Sequence, residues 1–233
     1  MADTPEAIGN ATRELVERQL GILGFDVQDG RLLERVRCFA ESVALWGSRI
    51  NLTSAPENPS ELAFHIVDSL MPLVLAARPE GAILARLLTA RCSVLDLGAG
   101  AGFPGLILAA ASPARFTLLE RRRKRASFLQ LTAAAMGLAN VTIDPVHRGP
   151  AELTPDFDIV VGRAFARPAR FYSSAAAALR PDGVAILYAS REQPLDLPTA
   201  RAAGLDDPTI LPYAVLRGSR PVARRLIVLP KPN

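Results

Sequence analysis

Hydrophobic positions change their period once along this chain. Before residue 91 they recur at helical spacing, as in Leu32, Leu33, Val36, Phe39, Ala40, Val43 and Trp46. The pattern predicts helices over roughly 5–21, 30–47, 59–77 and 81–89, with Asp29 as an N-cap for the second. Between the second and third, Asn51-Leu-Thr-Ser-Ala-Pro-Glu-Asn-Pro is rich in turn and cap residues and predicts a loop. After residue 91, short β-rich runs alternate with helical stretches. Strands are predicted at Ser93–Leu97, Phe116–Glu120, Val141–Val146, Ile159–Arg163 and Val184–Tyr188, with helices over 104–112, 121–137 and 168–180. This is the rhythm of a parallel sheet with crossover helices. Thr209–Leu216 and Arg225–Leu229 are joined by a turn too short for a crossover, so they should form an antiparallel hairpin at the sheet edge. The boundary falls near residue 91, giving an N-terminal helical cap, 1–90, and an α/β domain, 91–233.

Charge follows the same division. Residues 1–90 hold 12 acids and 8 Arg, net −4, whereas 91–233 hold 11 acids, 17 Arg and 2 Lys, net +8. Arginine's fork suits phosphate oxygens and base edges, so a polyanionic partner is one reading; an Arg-rich coding genome is the other. The two cysteines, Cys38 and Cys92, stand in no metal-ligand spacing, so neither a zinc site nor a disulfide framework is expected. The start has no basic segment followed by an apolar one, and no apolar run is long enough to span a bilayer. A cytoplasmic chain without membrane or metal, and a monomer, is the expectation.

Val94-Leu-Asp-Leu-Gly-Ala-Gly-Ala-Gly-Phe-Pro-Gly105 carries the strongest chemical signal: a strand, a glycine loop, then a helix. Gly98, Gly100 and Gly102 would let the backbone pass close to a ligand, and Pro104 suits a first helical turn whose free N–H groups can meet a carboxylate. The spacing is G-x-G-x-G. Phe103 stands where a dinucleotide fingerprint would need its third glycine, which favours S-adenosylmethionine over NAD. Glu120 ends the next strand, 22 residues after Gly98, where an acid can accept hydrogen bonds from both ribose hydroxyls. Five βα units and a hairpin are the order of a Rossmann-like class I methyltransferase, by fold analogy: a mostly parallel seven-stranded sheet with helices on both faces, plus the helical cap.

The chain resembles one family from about residue 30 onward, the bacterial small-subunit ribosomal RNA guanine-N7 methyltransferases, RsmG, formerly glucose-inhibited division protein B. The segments that carry the resemblance are Trp46 with Asn51-Leu-Thr-Ser, His65-Ile-Val-Asp-Ser-Leu, Asp96–Gly105, Phe116-Thr-Leu-Leu-Glu with Lys124-Arg125 and Phe128-Leu129, Ala151-Glu152, and Gly162-Arg-Ala-Phe-Ala. It implies methyl transfer from S-adenosylmethionine to N7 of a guanine in 16S ribosomal RNA, with the RNA or a ribosomal particle as partner. It also implies that Asp96, Gly98 and Phe103 belong to the cofactor pocket, that Ala151 and Glu152 touch the adenine end, and that Arg163 closes the site. Asn51, His65 and Asp68 would face the target base.

Each of these has a plainer reading beside it. His65 and Asp68 are i, i+3 on one predicted helix, which invites a general-base role, although a satisfied structural histidine is commoner. Asn before a turn usually caps its own backbone. Arg163 at a strand end reads either as a reaction-centre residue or as a surface ion pair with Asp158, and a surface arginine would contribute little to stability. The run Arg121–Arg125 is a solvated face or a phosphate-holding patch, with Lys124 and Arg125 favoured for RNA. Two departures from the family pattern stand out: Pro150 precedes Ala-Glu where the family has Arg, with Arg148 two residues earlier, and Arg191 stands where the family has Lys; Arg148 and Arg191 are the expected replacements in contacting RNA.

Guanine N7 carries a free lone pair, so the expected reaction needs no base and rests on positioning. The rival readings are a small-molecule methyltransferase whose helices form a lid, and a non-catalytic ribosomal RNA-binding assembly protein.

Overall fold

The computed structural model describes residues 4–27, 30–146, 149–164 and 167–233. Asp29 and Arg148 lie outside the described residues, so the N-cap expected of the one and the RNA contact expected of the other have no structural account.

Three helices open the chain: α1 (Pro5–Ile22), α2 (Arg31–Ile50) and α3 (Pro59–Leu75). Their starts follow local chemistry. Thr4 caps α1 by accepting from Ala7 N–H, and Asn58 caps α3 by accepting from Ser60 and Glu61 N–H, each with proline in the first turn. Helix α3 is buried on nearly every face. The segment expected as a helix over 81–89 is a 3₁₀ helix, Pro79–Leu88. Gly81 there abuts the end of α3, where a Cβ would come 2.1 Å from the Leu75 carbonyl oxygen.

The sheet alternates strand and helix as β1 (Ser93–Leu97), α4 (Gly105–Ala111), β2 (Arg115–Leu119), α5 (Arg123–Ala135), β3 (Val141–Asp144), β4 (Phe157–Arg163), α6 (Pro168–Ala178), β5 (Leu179–Ser190), α7 (Leu197–Ala202), β6 (Thr209–Arg217) and β7 (Arg220–Pro230). Spatial order is β3-β2-β1-β4-β5-β7-β6. The first five strands are parallel, and β7 runs antiparallel to both β5 and β6. The expected seven-stranded, mostly parallel sheet with an antiparallel hairpin is therefore present. Two local differences have physical causes. Strand β5 starts at Leu179 because Leu179 pairs with Phe157 and Val184 with Ile159, so the Pro-Asp-Gly turn between bulges out with Asp182 at φ 59°. Helix α7 escaped the hydrophobic pattern, although its signal was legible: Asp196 accepts from Thr199 N–H, with Pro198 between.

Strand alternation divides the core. Val94, Phe116, Leu118, Ile159, Val161 and Ile186 face one way and share a single apolar layer with α1 to α5. Leu95, Leu97, Leu119, Val160, Ala185 and Leu187 face the other way, against α6 and α7. The N-terminal helices thus pack on the same sheet face as α4 and α5, which brings the α2–α3 loop beside the carboxyl end of β1. No single helix among the described residues is long and apolar enough to cross a membrane.

Candidate active site

The glycine loop leaves β1 at Leu97 and folds back on β2, with Gly98 and Ala99 N–H both donating to the Leu119 carbonyl at 2.9 and 3.1 Å. Gly98, Gly100 and Gly102 have φ of 73°, 58° and 91°, which a side chain would strain. Their surroundings differ. A Cβ on Gly100 would meet nothing closer than 3.6 Å and would project into an open cradle. A Cβ on Gly102 would strike Leu106 at 2.8 Å and Phe39 at 3.0 Å, so this glycine serves packing against the helices and not the close ligand approach expected of it.

Glu120 stands just past β2 and is nearly fully buried. Its Oε2 accepts from Gly100 N–H at 3.0 Å and its Oε1 from Arg122 N–H at 2.8 Å, so the carboxylate is held rigidly beside the loop. Asp96 is buried, and its Oδ2 accepts from Gly105 N–H at 2.9 Å. The carboxylate expected at the free N–H groups of α4 is therefore the protein's own. Burial raises the Asp96 carboxyl to about 7, and its Oδ1 has no partner.

A cavity of about 280 Å³ opens over this loop, lined by Gly98 to Ala101, Phe103, Leu52 to Ser54, His65, Arg125, Arg163 and Ala164. Strand ends supply its floor, and the loop after α2 supplies its opposite wall. Asn51 ends α2 in a left-handed conformation, φ 52° and ψ 59°, so the chain turns sharply enough to present the next three residues to the cavity. Asn51 itself is exposed, and its carbonyl accepts from the Arg125 guanidinium.

His65, Asp68 and Arg163 do come together, in an order the sequence did not suggest. Arg163 lies between the other two: its Nη2 donates to His65 Nδ1 at 2.6 Å, and its Nε reaches Asp68 Oδ2 at 3.1 Å. Asp68 is fully buried, and it also accepts from Tyr213 Oη at 2.7 Å and from Arg224 Nε and Nη2 at 3.1 and 3.2 Å. Asp68 therefore anchors two arginines from behind and does not line the cavity. The alternative of a surface ion pair between Arg163 and Asp158 is overturned: Asp158 pairs with Arg86 and Arg180 at 3.4 and 3.0 Å, and the Arg163 side chain is only 12% exposed. Tyr213 and Arg224 come from the hairpin, about 150 residues beyond Asp68, and no local pattern could have paired them with it.

Because arginine can only donate, His65 Nδ1 must accept, which leaves the proton on Nε2. Burial, then the nearby Arg163 charge, depresses the imidazole to about 3. The ring is packed between Phe64 and Phe103, with centroids 5.2 and 5.3 Å away, and Arg163 lies over Phe103 at 5.5 Å. His65 is consequently a neutral N–H donor. The parental rate should show no ionisation near 6.5 that belongs to His65, and His65→Gln should lower turnover less than about tenfold, since an amide can still donate. A pH–rate profile with an inflection near 6.5 that disappears in His65→Gln would overturn this. The same shift bears on stability. The unfolded histidine takes up a proton below about 6.5 and the folded one only near 3, so this group's contribution to stability falls as pH drops through that window, and the raised Asp96 carboxyl, which gives up its proton on unfolding between about 7 and 4, opposes it.

The remaining expected residues lie further out. Ala151 and Glu152 sit on the 3₁₀ turn Pro150–Glu152, with Glu152 Oε2 accepting from Gly149 N–H at 2.7 Å. Glu152 lines a second cavity of about 170 Å³ with Leu119 and Asp144, separate from the first. Of the basic run, Arg121 to Lys124 are exposed while Arg125 turns inward. Arg191 is exposed and borders a cavity of about 520 Å³ on the hairpin, together with Tyr213, Arg224 and Arg225.

Residues 32–203 match the profile of the family described as GidB, rRNA small subunit methyltransferase G. The chain belongs to that family. A ribosomal RNA small subunit methyltransferase G from Acidiphilium cryptum (strain JF-5) is 39% identical over 172 residues, covering 72% of this chain and 73% of its own. Its counterpart from Halorhodospira halophila (strain DSM 244 / SL1) is 32% identical over 198 residues, covering 83% and 88%. Among solved structures, a tRNA methyltransferase from Aquifex aeolicus shares the fold with a TM-score of 0.51 at 14% identity, over 65% of this chain and 67% of that one. This member of the GidB family is an S-adenosylmethionine-dependent methyltransferase of the Rossmann-like class I fold. The open cradle at Gly100 and the fixed Glu120 carboxylate beside it fit that cofactor. Sequence reasoning had missed Thr53 and Ser54 as cavity residues, though both stand in the Asn-Leu-Thr-Ser segment that pointed to the family.

Proposed function

We propose that the protein transfers a methyl group to N7 of a guanine in small-subunit ribosomal RNA. The family supports the RNA class, and one feature of the cavity supports the acceptor atom: among the described residues lining it there is no carboxylate, and its only histidine is held neutral with Nδ1 already engaged. A wall unable to take up a proton suits an acceptor nitrogen that has none to lose, and N7 is such an atom on the guanine edge. An exocyclic amine, which must shed a proton, is less well served.

S-adenosylmethionine, when bound, supplies the electrophilic methyl group. The chain's own contribution is positioning. In this reading Glu120 orients the ribose of the cofactor, and Ala151 and Glu152 serve its adenine end, as their place beside Asp144 at the end of β3 suggests. The His65 Nε2–H is free to donate to guanine O6, the acceptor adjacent to N7, while Arg163 holds the ring in place. Helical residues 1–90 act as the cap that supplies the RNA-facing wall. A-form RNA hides this guanine edge, so the substrate is an unstacked base. Exposed Arg121 to Lys124, which precede Arg125 of the cavity, and exposed Arg191 by the hairpin hold the flanking phosphates.

Two measurements test the proposal. Mapping of N7-methylguanosine in small-subunit ribosomal RNA from cells with and without the protein should show one guanine modified only in the former; identical maps would sink it. Reversing Arg121 and Lys124 to Glu should weaken RNA binding irrespective of sequence and reduce the slope of log affinity against log salt by about one per lost contact. Affinity for S-adenosylhomocysteine should not change in that variant. An unchanged salt slope would return this run to the status of a solvated face.

A further inference from the structure

Arg125 does not behave like its four basic neighbours. Its side chain turns into the cavity, where Nη1 would lie 3.7 Å from a Cβ placed on Gly100, so the guanidinium roofs the glycine loop. Another guanidinium nitrogen donates to the Asn51 carbonyl, fixing the group between α5 and the α2–α3 loop. No carboxylate lies within ion-pairing distance of it among the described residues, and its Nε is buried without a partner. Six buried side-chain atoms in the described structure lack hydrogen-bond partners, and two of them belong to residues of this one cavity: Arg125 Nε and Thr53 Oγ1. Both can donate. The guanidinium is half-buried and has no counter-ion among the described residues, and it shares the cavity with an unpaired hydroxyl, so an anion seated there would complete both. The cavity's other arginine, Arg163, already has Asp68 as counter-charge.

We propose that Arg125, with Thr53, is the subsite for the carboxylate of the cofactor's amino-acid moiety. A carboxylate is small enough to sit over Gly100, where a side chain would otherwise stand, and a planar guanidinium matches its two oxygens. This assigns Arg125 to the cofactor and not to RNA phosphate, and makes it the residue that selects adenosyl ligands carrying an amino acid.

The test uses two ligands that share the adenosyl group, S-adenosylhomocysteine, which has the carboxylate, and 5′-methylthioadenosine, which lacks the amino-acid moiety. Calorimetry on the whole protein should find Arg125→Gln weakening S-adenosylhomocysteine by about 10- to 100-fold and Thr53→Val by about 3- to 10-fold, with 5′-methylthioadenosine within about twofold of the parent in both. Arg125→Lys should recover part of the loss, as a charge without a fork. Parallel losses for the two ligands would mean that Arg125 acts only as a strap on the Asn51 carbonyl, and would overturn the assignment. So would unchanged affinity for both ligands together with weaker, less salt-dependent RNA binding. The outcome is independent of the target nucleotide: a parent that binds S-adenosylhomocysteine yet leaves ribosomal RNA unmodified would remove the proposed substrate and leave this subsite standing.

Discussion

Asp68→Ala should destabilise the protein by about 3–5 kcal/mol, the usual cost of removing one partner from a buried ion cluster. The carboxylate is fully buried and serves Arg163, Arg224 and Tyr213 at once. Without it two guanidinium groups, each less than a fifth exposed, remain in the interior with no counter-charge between them. Three distant segments also lose their common tie: α3, the end of β4 and the β6–β7 hairpin. Urea denaturation should show a lower midpoint, and Tyr213→Phe, which deletes one hydrogen bond, should cost only about 1 kcal/mol. A midpoint for Asp68→Ala close to that of the parent would show that water replaces the carboxylate and that the cluster is not an anchor.

Arg163→Ala is expected to lower methyl transfer on the order of 100-fold, because its guanidinium fixes the tautomer and orientation of His65 and packs over Phe103 at the cavity wall. Stability should also fall, by about 1–3 kcal/mol, since Asp68 loses one of its charged donors but keeps Arg224. This differs from the expectation for a strand-end surface arginine, whose loss would leave the melting temperature unchanged. Arg163→Lys separates charge from shape. An ammonium can satisfy Asp68 but cannot span from that carboxylate to His65 Nδ1 as a fork does, so most of the stability should return and little of the activity. A folded, fully active Arg163→Ala would assign the residue to structure alone.

Much of this protein was legible along the chain because the deciding interactions are local. Alternation against helical spacing marked most strands and helices, since each element buries one face at its own period. The glycine loop and Glu120 announced a nucleoside ligand because their roles depend on backbone conformation and on position at a strand end. The sequence also ranked Arg163 and His65 as candidates, by their strand-end and helix positions. What it could not supply was the partner of each. His65 and Asp68 share a helix face yet do not touch, because Arg163 arrives between them from β4 and Arg224 and Tyr213 arrive from the hairpin. A run of five basic residues looks uniform in sequence, whereas helix geometry turns Arg125 into the cavity and leaves its neighbours in solvent. Gly102, read as a ligand-facing glycine, proved to be a packing glycine because Phe39 of α2 lies against it. Burial and counter-charge are properties of residues distant in the chain and adjacent in space. Only the packed sheet and its helices decide them.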